Sequence, residues 1–86
     1  MQLRISLSKE GLFIVLKLIG RLAGDGVAEF RRTVEASARP IQLDLSELRS
    51  VDHEGMRELR RVCAEEQTHV VNARRHIAML LKLASK

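Results

Sequence analysis

The sequence predicts a small mixed α/β domain with the element order β-β-α-β-α-β-α and helices mainly on one face of the sheet. Three observations carry this. Apolar and polar residues alternate in separate short stretches, the period of a strand. Between and after those stretches, apolar residues recur every three to four positions, the period of a helix. The first two strands are joined by a short turn and the later ones through helices. That pattern implies one antiparallel hairpin followed by parallel neighbours with right-handed crossovers.

Leu3, Ile5 and Leu7 alternate with Arg4, Ser6 and Ser8, giving a first strand with one polar face. Lys9-Glu10-Gly11 is turn chemistry, and Leu12 to Ile19 reads as a second strand hairpinned to the first. This strand is apolar on both faces except at Lys17, which places it inside the sheet. The run Gly20-Arg21-Leu22-Ala23-Gly24-Asp25-Gly26 ends it as a loop, without the glycine spacing of a phosphate cradle. Asp25 is expected to cap a helix on which Val27, Phe30 and Val34 recur, with Arg31, Arg32 and Glu35 outward. Arg39-Pro40 closes that helix, since proline disfavours helical geometry in the residue before it.

The stretch Ile41 to Gly55, IQLDLSELRSVDHEG, is the centre of the chain. Ile41, Leu43 and Leu45 alternate with Gln42, Asp44 and Ser46, the pattern of a third strand. A polar turn region holding one more apolar pair, Leu48 and Val51, is expected next. Asp52 then stands where a carboxylate can cap the following helix. That helix carries Met56, Leu59 and Val62 or Cys63 on one face, and Arg57, Glu58, Arg61 and Glu65 on the other. Thr68 to Val71 is a short strand, and Ala73, Ile77, Leu80, Leu81 and Ala84 mark a last amphipathic helix. No repeat or linker interrupts the pattern, so residues 1–86 read as one domain.

Composition narrows the function classes. Apolar residues make up 45%, but Phe13 and Phe30 are the only aromatics, so the core is aliphatic. The net charge is +4, with basic and acidic residues interspersed. Without stacking residues or a basic stripe, a solvated surface explains that charge better than nucleic-acid binding. Cys63 has no partner for a disulfide and falls on an apolar helix side, where packing explains it. His53, His69 and His76 lie on different elements, and no pair has metal-site spacing, so no metal or cofactor is expected. No nucleophile motif occurs. Neither a signal peptide nor a membrane-spanning apolar run is visible, which makes the cytoplasm the default.

One acidic constellation remains: Asp44, Asp52 and Glu54, expected together at the carboxyl end of the third strand. Open α/β sheets bind ligands in that region. Two caps and a solvated carboxylate account for the same residues.

The segment LDLSELRSVDHEGM resembles the core signature of the STAS domain, found in bacterial anti-sigma-factor antagonists and at the cytoplasmic end of sulfate transporters. That pattern runs as an apolar strand with Asp-Leu-Ser, then Asp-Ser-Ser-Gly-apolar at a helix start. Asp44-Leu45-Ser46 matches the first part; Asp52, Gly55 and Met56 match the frame of the second. Leu16 to Leu22 is similar to the family's strand ending in Gly-x-Leu, and Val70 to Leu83 to its last strand and helix. The resemblance implies a STAS-like fold and a non-catalytic, partner-switching role in regulating transcription, with an anti-sigma factor or kinase-like protein as partner.

The resemblance also locates a departure. Where the family carries the phosphorylated serine this chain has Glu54, and His53 holds the position before it. With no hydroxyl in Asp52-His53-Glu54-Gly55, the serine phosphoswitch cannot operate. A carboxylate in the first turn of a helix is favoured by about 0.3–1 kcal/mol. It carries one negative charge where a phosphoserine carries about 1.5 to 2. Glu54 therefore reads either as a fixed phosphorylated-like surface or as a helix-start residue alone. The expected interaction surface comprises Asp52, His53, Glu54 and Gly55, the exposed arginines Arg57, Arg60 and Arg61, and the Gly20–Gly26 loop with Asp25. Two alternatives stand beside it: a small nucleotide- or nucleic-acid-binding domain, and an accessory STAS subunit of a transport ATPase.

Overall fold

The computed structural model describes residues 2–84, with side chains through residue 81. The elements are β1 (Arg4–Glu10), β2 (Phe13–Leu22), α1 (Asp25–Ala36), β3 (Ile41–Val51), α2 (His53–Cys63), β4 (Thr68–Val71) and α3 (Arg75–Ala84). They form the α/β order read from the sequence. One four-stranded sheet has the order β1-β2-β3-β4. β1 runs antiparallel to β2, while β2–β3 and β3–β4 are parallel.

The hairpin turn is tighter than the sequence reading. Lys9 and Glu10 belong to β1, and Gly11-Leu12 alone form the turn between Glu10 and its partner Phe13. Gly11 takes φ 60° at the first loop position, which a two-residue type II′ turn requires and glycine supplies without strain.

The sheet is apolar on one face. Ile14, Leu16 and Leu18 of β2 stand beside Ile41, Leu43 and Leu45 of β3, and α1 and α2 cover them with Val27, Phe30, Val34, Leu59 and Val62. Leu43 and Leu45 are wholly buried, as an inside strand demands. The opposite face is polar at its centre, where Lys17 Nζ lies 2.8 Å from Glu47 Oε2.

β3 is longer than its alternation suggests. The expected turn after Ser46 is strand to Val51, and β2 likewise continues through Gly20-Arg21-Leu22 with Leu22 in the core. The cause is two extra residues in β3. Lys17 pairs with Asp44 but Ile19 with Glu47; Gly20 pairs with Leu48 but Arg21 with Ser50. The first irregularity shifts the side-chain alternation, so Leu48 follows Leu45 into the core at a spacing of three.

β4 pairs only with Ile41 to Asp44. α3 lies beside the rest of β3: Arg74 Nε donates to the Ser46 carbonyl (3.1 Å), and His76 Nε2 stands 3.2 Å from the Arg49 carbonyl oxygen. Asn72 turns the chain with φ 57°, so α3 begins after Ala73 rather than at it. Ile77 is buried and Leu81 packs on the core, but Leu80 is exposed. The expected place of Ala84 on the apolar stripe lies outside the described side chains. No helix among the described residues is long and apolar enough to cross a membrane.

Candidate functional site

The carboxyl ends of β2 and β3 bring two helix starts together, and Asp52 joins them. Its backbone N–H donates to the Leu22 carbonyl (3.1 Å), fixing the end of β3 against the end of β2. Its Oδ1 accepts from the Gly55 N–H at 2.6 Å, the N-cap bond expected for α2. Its Oδ2 accepts from the Gly24 N–H at 3.3 Å, across to the loop that opens α1. Both carboxylate oxygens thus serve backbone donors, one on each helix start.

Asp25 plays a different part from the one expected. It is the first residue of α1, not its cap; the cap position is Gly24, with φ 57° and no side-chain acceptor. The Asp25 carboxylate stays in the first helical turn, where the helix dipole favours it.

Gly55 is fixed by close approach rather than by backbone conformation. A Cβ there would overlap the Leu22 carbonyl oxygen and stand 2.9 Å from Val51 Cγ1. The first turn of α2 can press on the strand ends only because this residue has no side chain.

His53, Glu54 and Arg57 are exposed on the outside of that turn. Arg57 Nη1 lies 3.5 Å from Glu54 Oε1, a solvent-facing pair about two-thirds exposed on both sides, worth about 0–1 kcal/mol. A cleft of about 510 Å³ opens at the start of α1, lined by Arg21, Gly24, Asp25, Glu29 and Asp52 together with the N-terminal Gln2 and Leu3. Asp25 and Asp52 meet in this cleft; His53, Glu54 and Arg57 are not among its lining residues.

Asp44 does not join the constellation. It lies in mid-β3, paired with Lys17 on one side and Val71 on the other, because the strand continues past it to Val51. Its Oδ1 accepts from the Ser46 N–H (3.0 Å) where the β3 irregularity takes that donor out of the ladder. Desolvation raises its pKa, but the Ser46 bonds, Lys17 and Asn72 outweigh that and hold it below the ordinary range. Asp44-Leu45-Ser46 is therefore a strand-shaping device. No protein-family model matches this sequence, and no curated protein matches it.

The spacing puts Glu58 on the outer face of the second helix, but the structure buries it. Arg31 Nε of α1 donates to its Oε1 (3.1 Å), and Arg61 Nε donates to its Oε2 (2.8 Å). Arg61 is thus engaged within the fold, while Arg57 reaches only the exposed Glu54 and Arg60 faces solvent. The bond from Arg61, reinforced by Arg31, holds the Glu58 carboxyl below its ordinary pKa against the effect of burial.

The remaining nucleophile and histidines have local roles. Burial pushes the Cys63 thiol up to about 11, consistent with a packed rather than a reactive cysteine. His69 meets Phe13 edge-on at 5.5 Å between ring centroids, and His76 lies against the Arg49 carbonyl.

Proposed function

We propose that this chain is a non-catalytic, STAS-like protein-interaction domain that docks a regulatory protein on the turn Asp52–Gly55, the neighbouring Arg57 and the start of α1 at Asp25. The observation that carries the reading is the double capping by Asp52. It joins two chain segments into one rim while leaving His53 and Glu54 outward. A rim fixed by backbone bonds, bearing exposed charges, suits recognition by a partner more than turnover of a small substrate. The resemblance of Asp44-Leu45-Ser46 and Asp52-x-x-Gly55-Met56 to the STAS signature supports the same reading, with an anti-sigma factor or its kinase-like relative as the partner class. The site of action proposed is the cytoplasm.

On this reading Glu54 supplies a permanent negative charge where the family's switch residue is neutral until phosphorylated. Replacing it, Glu54→Ser, removes the charge and leaves a side chain compatible with a helix start, so stability should stay nearly unchanged. Partner affinity should change measurably. The test compares wild type and Glu54→Ser for binding to anti-sigma factors and to partners recovered from native cell extract. Equal affinity for every partner would reduce Glu54 to a helix-start residue. Incubation with an anti-sigma kinase and ATP should add no phosphate to residues 52–55, and stoichiometric phosphate there by mass spectrometry would overturn the non-switch reading.

A further inference from the structure

β1 is an edge strand of the sheet and is exposed along nearly its whole length. The hairpin register decides which of its backbone groups are free. The Ile14 N–H donates to the Pro40 carbonyl, on the β3 side, at 3.1 Å. Ile14 and its partner Lys9 are therefore a non-hydrogen-bonded pair. Because such pairs alternate along an antiparallel ladder, Leu7 opposite Leu16 and Ile5 opposite Leu18 belong to the same class. The N–H and C=O groups of Ile5, Leu7 and Lys9 thus point away from β2.

We propose that this edge pairs with the β1 edge of a second copy of the chain, antiparallel about a two-fold axis at Leu7, forming a continuous sheet across a homodimer. In that register Leu7 faces Leu7 of the second copy, Ile5 faces Lys9, Ser6 faces Ser8, and Arg4 faces Glu10. The three outward-pointing residues become the hydrogen-bonded pairs. Arg4 and Glu10 become a non-hydrogen-bonded pair, the class in which side chains approach most closely. Symmetry makes this charge pair twice. Within one chain neither residue takes part in an ion pair among the described residues.

Charge complementarity selects this register. Sliding the strands by one residue sets bonding groups against non-bonding ones and loses the ladder. Sliding by two in either direction leaves Arg4 and Glu10 without each other. The apolar side agrees. Leu7 is 58% exposed beside a groove of about 450 Å³ between β1 and α1, lined also by Ile14, Thr33 and Ala36. Pairing about Leu7 sets two such leucines together over the joined grooves.

Sedimentation velocity from the micromolar to the near-millimolar range should show wild-type monomers converting to dimers. Arg4→Glu and Glu10→Arg each place like charges opposite one another twice, and each should weaken self-association roughly tenfold. An equimolar mixture of the two variants should recover wild-type association, because every charge then meets its opposite. Both positions are exposed, so circular dichroism melts should confirm an unchanged fold. Amide exchange at Ile5, Leu7 and Lys9 should slow with rising protein concentration while Ser6 and Ser8 stay constant. A wild type that remains monomeric, variants that associate like the wild type, or a mixture no tighter than its components would each overturn the proposal.

Discussion

Asp52 and Gly55 do opposite jobs within one turn of chain. The carboxylate of Asp52 supplies acceptors to two helix starts, whereas Gly55 contributes the absence of a side chain where α2 meets the Leu22 carbonyl. Gly55→Ala should therefore destabilise by about 1–3 kcal/mol in a denaturant melt, since the added methyl meets backbone that cannot swing aside. Asp52→Ala should lose about 0.5–2 kcal/mol as the α2 cap disappears, and Asp52→Asn should recover most of it. Asp52 was legible in the sequence because a cap is a local event: an acid before a helical period. Asp25 was not. The same residue type before the same kind of period sits one position inside α1, because Gly24, with its positive φ, takes the cap position. Nothing in the local pattern of Asp25 separates the two cases.

At the scale of elements, β3 shows where alternation stops being informative. Its first half, Ile41 to Leu45, obeys period two and reads at once as strand. Its second half reads as turn because extra residues shift the period, although pairing with β2 continues to Val51. The break between Leu45 and Leu48 was the available signal of an irregular strand. The buried first half makes a direct test: Leu43→Ala should cost about 2–5 kcal/mol, the range for a wholly buried leucine. A loss below about half a kcal/mol would mean that the strand is not packed as described. Glu58 is the corresponding case for helices. Its spacing from Arg57 and Arg61 suggested a solvated face, and only the approach of Arg31 from α1 turns it into the link between α1 and α2. Glu58→Gln should lower stability at neutral pH by about 1.5–3 kcal/mol, the worth of hydrogen bonds to a charged group.

Across the whole molecule, these groups shape stability against pH. The carboxyls of Asp44 and Glu58 are held below their ordinary values of 3.8 and 4.5. The unfolded chain therefore takes up protons first as pH falls. Their contribution is complete above those values and is lost as pH drops through the lower native ones. Acid titration of thermal stability should show that decline, and Glu58→Gln should make it shallower. The alkaline side has the opposite sign. The Cys63 thiol is raised from 9.0 to about 11, so the unfolded chain ionises first and stability falls as pH climbs through that interval. Cys63→Ala should flatten this limb in the same measurement. The partial burial of Cys63 was readable from its place on an apolar helix side. The acid limb was not, because it depends on partners distant in the chain.

The two borders of the sheet are unequal. On the β4 side the strand is only four residues long, and beyond it Arg74 and His76 occupy the carbonyls of Ser46 and Arg49 with side chains in place of a strand. On the β1 side the strand is seven residues long, and the backbone groups of Ile5, Leu7 and Lys9 point outward along it. Indefinite stacking of sheets end to end requires two receptive borders per molecule, and a two-fold contact at β1 consumes the open one on both partners. The arginine and histidine take up β3 carbonyls past the end of β4, so that stretch of β3 presents side chains rather than a bare strand edge. With the β1 edges joined as proposed, the sheet border left on the other side of each copy is the four-residue β4, a short edge that favours a closed pair over continued growth.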